Sequence, residues 1–178
     1  MSNFKEMNKE VYYVTGSIAK LSKEDIDFLK EKMASDNLQR IRICSHKDIN
    51  DNLHEMFIVH KKGTYVRPHK HLNKSESAHI IEGSAYFIVF DDKGSITDVT
   101  EVGDYSSGYK FYYRVADAAY HTLFITSDYL VFHETTKGPF KKLDSEFAPW
   151  SPDDNGDVKK FMNDLTKSIE NYEQNNSP

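Results

Sequence analysis

His69 and His71 stand two residues apart in the segment Gly63-Thr64-Tyr65-Val66-Arg67-Pro68-His69-Lys70-His71, and Glu76 follows a short turn signal at 72–75. On a strand, side chains at i and i+2 share a face, their Cβ atoms roughly 7 Å apart, so two imidazoles can converge on one ion. Glu76 opens the returning strand, where it can add a carboxylate. A barrel draws further ligands from strands distant in sequence, and His121, just ahead of the apolar run 122–126, is the natural candidate. The chain has eight histidines and one cysteine, Cys44, which excludes an internal disulfide and any thiolate-rich site. A metal here must be held by nitrogen and oxygen. Three imidazoles and a carboxylate suit Fe, Mn, Ni, Co or Zn as a divalent metal ion.

Other residues could act beside such an ion. Arg67 and Tyr65 share the parity of His69 and His71, so both should face the same cavity as substrate-binding groups. A guanidinium there must meet an anion, either an internal carboxylate or a substrate carboxylate or phosphate. His133 and Glu134 are the catalytic candidates for moving a proton. A two-residue turn at Ser127-Asp128 places Glu134 opposite His121, whereas a three-residue loop places His133 there. The turn at Lys62-Gly63 similarly sets His54 opposite His71, or Glu55 opposite His69 after a one-residue slip. A strand-surface position is the favoured reading of His54. His79 is out of step with Glu76 and should face away, while His46 and His60 carry no supporting context. Cys44 reads as a half-buried strand residue. Ser75, Ser77, Ser106 and Ser107 lie in no Gly-x-Ser-x-Gly frame, so serine-hydrolase chemistry is not indicated.

The elements that must position these groups are mostly strands. With 178 residues the chain suffices for one decorated domain. Its 38% hydrophobic and 13% aromatic content exceeds that of a disordered chain, and a mean hydropathy of -0.67 is too polar for a membrane protein. Net charge is -5 and no stretch is strongly basic, so nucleic acid and anionic membranes are unexpected partners. No apolar signal-type run opens the sequence, and the expected setting is cytoplasmic. Residues 1–40 form an extension with the apolar stretch Val11-Tyr12-Tyr13-Val14 and a helix. Ser22 can cap that helix, with Asp25 at the capping-box position and Ile26, Leu29 and Met33 at helical spacing. Residues 41–145 contain β-branched and aromatic clusters at 56–60, 64–71, 79–81, 86–90, 96–102, 122–126 and 129–133. Turn signals at Lys62-Gly63, Glu82-Gly83, Asp92-Lys93-Gly94 and Ser127-Asp128 separate them. Residues 146–178 give a loop and an amphipathic helix with Val158, Phe161, Met162, Leu165, Ile169 and Tyr172 on one stripe.

The pattern Gly63-x5-His69-x-His71-x4-Glu76-x6-Gly83 resembles the first motif of the cupin superfamily at every fixed position. The second cupin motif is degenerate: Gly103 can open it and His121 fits its metal histidine. The expected Pro and Gly before that histidine are Ala116 and Ala118, and the expected Asn after it is Ile125. A narrower resemblance, over about residues 40–150, is to the WbuC-type cupin-fold metalloproteins. It rests on Leu53-His54-Glu55-Met56, Lys74-Ser75-Glu76-Ser77, Phe132-His133-Glu134-Thr135, Gly138-Pro139-Phe140 and Glu146-Phe147-Ala148-Pro149-Trp150.

The resemblance implies an all-β fold, a small antiparallel double-stranded β-helix (cupin or jelly-roll barrel) with short flanking N- and C-terminal helices. It also implies a divalent metal bound by His69, His71, Glu76 and His121, and a setting in surface polysaccharide (O-antigen) biosynthesis. The expected function is a metalloenzyme acting on a small polar, anionic or sugar-derived molecule by isomerisation or epimerisation. The alternatives are an Fe(II)-dependent dioxygenase and a non-catalytic binding module with a structural metal. Fold analogy adds a homodimer, with residues 1–20 offering a strand for exchange.

Overall fold

The computed structural model describes residues 3–176. Its strands are β1 (Phe4–Asn8), β2 (Val11–Val14), β3 (Arg40–Cys44), β4 (Leu53–Lys61), β5 (His69–His71), β6 (Glu76–Glu82), β7 (Ser84–Phe90), β8 (Ile96–Gly103), β9 (Tyr112–Val115), β10 (Tyr120–Ile125), β11 (Tyr129–Lys137) and β12 (Ser145–Phe147). The helices α1 (Lys23–Asp36) and α2 (Val158–Asn176) flank them. One sheet runs β1-β2-β3-β4-β11-β6-β9 and the other β12-β5-β10-β7-β8.

From β4 to β11 the pairings are nested. β7 and β8 form a hairpin, and outside it β6 pairs β9, β5 pairs β10 and β4 pairs β11, all antiparallel. Two antiparallel chain halves wound together in this way make a double-stranded β-helix, the jelly-roll barrel expected. The winding requires the chain to change sheets at nearly every turn. Gly63 (φ +82°) and Gly83 (φ +85°) serve two of those crossings, β4 to β5 and β6 to β7, in a left-handed conformation that other residues enter at a cost.

This topology corrects two expectations. Ser127-Asp128 joins β10 in one sheet to β11 in the other, and Lys62-Gly63 likewise joins β4 to β5, so neither turn is a hairpin. The registers deduced across them do not exist: β11 pairs with β4 and β6, and β10 with β5 and β7. Of the four turn signals, only Asp92-Lys93-Gly94 closes a hairpin. The strand expected over 64–71 is also shorter, beginning at His69.

Alternation within strands decides what faces inward. Met56 and Ile58 of β4, Ala78 and Ile80 of β6, Leu123 and Ile125 of β10, and Leu130 and Phe132 of β11 fill the barrel. Val59 and Val131 point the other way, beneath Ile26, Leu29 and Met33 of α1. That helix starts where Asp25 accepts a hydrogen bond from the Ser22 backbone N–H at 2.8 Å, the reciprocal arm of a capping box. Leu165 and Ile169 of α2 cover Ile88, Phe90 and Tyr120 on the outside of the second sheet. No helix among the described residues is long and apolar enough to cross a membrane. The β1–β2 hairpin extends the first sheet, with β2 paired in parallel to β3.

Candidate metal centre

The four expected ligands converge. One nitrogen or oxygen from each of His69, His71, Glu76 and His121 lies within 4.8 Å of every other. Two consecutive strands and a cross-strand pair account for this. His69 and His71 project from β5, His121 of β10 sits directly opposite His69, and Glu76 opens β6 in the facing sheet. His71, Glu76 and His121 are buried.

The outer nitrogens of the rings are each tied back. Nδ1 of His69 lies 2.9 Å from the Arg67 carbonyl, and Nδ1 of His121 lies 2.9 Å from the Ala119 carbonyl. A carbonyl only accepts, so both Nδ1 atoms carry the proton and both Nε2 atoms are bare in the neutral rings. Nδ1 of His71 meets Ser145 Oγ at 2.9 Å, because β12 places Ser145 opposite His71. Outer bonds of this kind orient imidazoles towards a metal.

The inner atoms present a conflict that a cation resolves. His121 Nε2 stands 2.8 Å from Glu76 Oε1, and His71 Nε2 stands 2.7 Å from Glu76 Oε2. For His121, whose Nδ1 already carries the proton, bare nitrogen and carboxylate oxygen are both acceptors, so only a proton or a metal ion satisfies the contact. His71, whose Nδ1 can accept from the Ser145 hydroxyl, can donate from Nε2 to Glu76. Burial alone would raise the Glu76 pKa, but the hydrogen bonds to His121 and His71 outweigh it and hold the carboxyl below the usual carboxylate range. For His121, burial pulls downward and the bond and charge of Glu76 prevail, raising it. His69 has no such partner, and burial together with the charge of His121 depresses it to about 4. A neutral His69 beside a preformed carboxylate–imidazole pair can hold a divalent ion without ordering new groups.

Beside the cluster lies a cavity of about 260 Å³, with His71 and Glu76 in its wall. Glu134 lines it and His133 does not. On β11 the even residues face inward with Leu130 and Phe132, so His133 turns outward. There it stacks on Phe57 with ring centroids 4.6 Å apart and stands 3.7 Å from Glu55 Oε1. Burial, then the neighbouring charge of Glu76, raises the Glu134 pKa to about 8. A carboxyl in that condition holds its proton near neutral pH.

Arg67 and Tyr65 are absent from the cavity lining. Arg67 donates from Nε to Ser151 Oγ at 3.1 Å and from Nη2 to the Ser151 carbonyl at 3.2 Å, with Cζ 4.8 Å from the Phe147 ring centroid. Tyr65 donates its hydroxyl to the Pro152 carbonyl at 2.8 Å. Strand parity does not carry back to them because 64–68 is not strand.

His79 is exposed, as expected. His54, read as a surface residue, is instead buried in the cavity wall and stacks on His46, with ring centroids 4.1 Å apart. Its even spacing from Met56 and Ile58 was the available signal. Cys44 is fully buried rather than half-buried. Tyr13, Arg42, Lys74 and Lys137 also line the cavity; Lys74 falls in the run Lys74-Ser75-Glu76-Ser77, but no spacing in the sequence joined the four to one cavity.

Fold and site together define a jelly-roll barrel with an imidazole–carboxylate cluster able to hold a divalent metal. Residues 21–102, under half of the chain, match a family described as Domain of unknown function (DUF6016). No curated protein matches the sequence. Among solved structures, a protein from Shewanella oneidensis is similar over 58% of this chain and 66% of its own, at 14% identity and a TM-score of 0.46. Oxalate decarboxylase from Bacillus subtilis is similar over 56% of this chain and 24% of its own, at 22% identity and a TM-score of 0.44. CapF, solved with the inhibitor 3-isopropenyl-tropolone, is similar over 61% of this chain and 31% of its own, at 13% identity and a TM-score of 0.47. The chain thus spans less than two thirds of each of these proteins. The nested strand pairings, rather than these partial overlaps, define the fold.

Proposed function

We propose that this protein is a metal-dependent enzyme of the WbuC type, an isomerase or epimerase acting on a small polar or sugar-derived molecule. We assign it to surface polysaccharide biosynthesis in the cytoplasm, acting as a homodimer. The observation that carries the metal-dependent part is the convergence of His69, His71, Glu76 and His121 within 4.8 Å of one another, with a short acceptor–acceptor contact between Glu76 and the Nε2 atom of His121. When bound, a divalent ion supplies Lewis acidity towards a substrate carbonyl or hydroxyl oxygen. His69, His71, Glu76 and His121 would hold it. The carbonyls of Arg67 and Ala119 and the Ser145 hydroxyl keep the imidazoles aimed. Met56, buried in the cavity wall, narrows the space left to water. Glu134, whose carboxyl pKa is pushed upward by burial and the charge of Glu76, lies on the same wall and would hand over and recover a proton.

The first test is elemental analysis of the full-length protein purified without chelator. About one divalent ion per chain is expected, with loss in His71→Ala and a higher melting temperature on adding metal back. The second is incubation of the metal-loaded protein with sugar phosphates and sugar acids in deuterium oxide, read by NMR. Deuterium entering a carbon position, and its loss in a Glu134→Gln variant that keeps its metal, is the expected result. Absence of metal sinks the first part, and absence of exchange across the panel sinks the second.

A further inference from the structure

We infer that the cavity beside the cluster contains an oxyanion subsite built from Arg42, Lys74 and Lys137, so that the molecule it takes carries a carboxylate or phosphate. This rests on the proposed function for its setting, but not for its residues. The three cations come from separate elements. Arg42 lies on β3 at even spacing from Cys44, Lys74 sits in the turn from β5 to β6, and Lys137 ends β11. The fold brings them to one mouth, and none forms an ion pair with an acidic side chain among the described residues.

The surroundings neutralise them only in part, through the charge interaction of Arg42 and Lys74 with Glu134. Among the described residues, Glu76 and Glu134 are the only acidic ones in the cavity wall. Glu76 is already engaged by His71 and His121. An adjoining recess, lined again by His71, Lys74 and Lys137, adds Arg114 against a single acid, Asp117. Arg114 reaches Ser75 Oγ at 3.4 Å. The chain as a whole has net charge -5, so this concentration of positive charge runs against its background. A divalent ion in the cluster would increase the local excess. Like charges gathered at a concave mouth repel one another and focus field lines there, and an anionic ligand relieves both effects. The guanidinium of Arg42 offers a planar fork that matches a carboxylate or phosphate, and the lysines supply point charges around it. Arg67, two residues before His69, is already committed to Ser151.

The size of the space limits the ligand. At about 30 Å³ per water, 260 Å³ has room for roughly nine waters, which suits a molecule of on the order of ten non-hydrogen atoms. Ile49, Met56 and Phe140 on the wall favour a short carbon skeleton between its polar ends.

The test is calorimetric titration of the full-length protein, metal-loaded and chelator-treated, at low ionic strength. The probes are glycerol 3-phosphate, malate and glycerol. At least one anion should bind the metal-loaded protein and glycerol should not. Binding of the phosphate alone or of malate alone identifies which oxyanion the subsite prefers. Arg42→Gln and Lys74→Gln should each weaken it tenfold or more with metal content unchanged. Lys137→Gln, at an exposed position at the end of β11, should weaken it as well, and guards against a folding defect in the other two. Equal affinity in wild type and all three variants, or glycerol binding as well as the anions, overturns the subsite. Metal uptake without anion binding overturns the subsite and leaves the metal centre standing. Arg42-dependent anion binding in a chain that takes up no metal does the reverse.

Discussion

Arg67→Ala should lower stability by about 2–3 kcal/mol while leaving the metal centre intact. The guanidinium makes two charge-assisted hydrogen bonds to Ser151, at 3.1 and 3.2 Å, and covers the Phe147 ring. Hydrogen bonds to charged groups contribute about 1.5–3 kcal/mol each, but these are long for their type and Arg67 is partly open to solvent. About 1 kcal/mol each is therefore the fitting figure. The cation–π contact adds about 0.5–1 kcal/mol. Ser151 Oγ also donates to the Ala148 carbonyl at 2.8 Å, so releasing Arg67 loosens the turn that carries the chain towards α2. In a protein of this size each kcal/mol moves the melting temperature by about 2–4 °C, so a fall of roughly 5–10 °C is expected.

Thermal and urea denaturation give the magnitude, and elemental analysis of the same preparations gives the metal content. The metal should stay, because the group that orients His69 is the carbonyl of residue 67, which alanine retains. Arg67→Lys should recover part of the loss, since it keeps the charge without the fork. A variant that unfolds at the wild-type midpoint refutes the placement. One that keeps the midpoint but loses small-anion binding would put Arg67 against a ligand instead.

His60 is buried, its Nδ1 has no partner, and burial followed by the charges of Arg40 and Arg42 depresses its pKa to about 4. Because the unfolded chain takes up that proton below about pH 6.5 and the folded chain does not, stability should fall as pH drops from 6.5 to 4. The loss from His60 is on the order of 3 kcal/mol. His60→Leu should make the decline of urea midpoints with falling pH shallower while leaving the part due to His69, which is depressed to about 4 as well; parallel decline in both proteins would remove His60 from the account. Two glycine variants should separate strain from collision. Gly63→Ala meets no atom within 4 Å and should cost only about 1–2 kcal/mol for its left-handed backbone, whereas a Cβ on Gly83 would lie 2.1 Å from the Tyr129 carbonyl oxygen. Gly83→Ala should therefore be worse by about 1–3 kcal/mol or more in urea denaturation, and equal losses would show that the crossing relaxes.

The contrast between what was legible in the sequence and what was not follows from the winding of the barrel. Parity along one strand is a local property, and it correctly paired His69 with His71 and turned His79 outward. It failed for Arg67 and Tyr65 because the extended run before His69 is not pleated strand, so a period of two had no meaning there. Pairing between strands is not local here. In a double-stranded β-helix consecutive strands mostly lie in opposite sheets, so hairpin reasoning at Ser127-Asp128 and Lys62-Gly63 compared strands that never touch. The choice between His133 and Glu134 was therefore open in the sequence, and the even parity of Leu130 and Phe132 with the barrel interior decides for Glu134. The same winding explains why the ligands could be found and the cations could not. Each ligand lies in a segment whose residue types are constrained by close packing and a metal's geometry, which leaves a spaced pattern. Arg42, Lys74 and Lys137 lie 32 and 63 residues apart on the chain, and their joint role exists only once β3, the β5–β6 turn and the end of β11 are brought to one mouth.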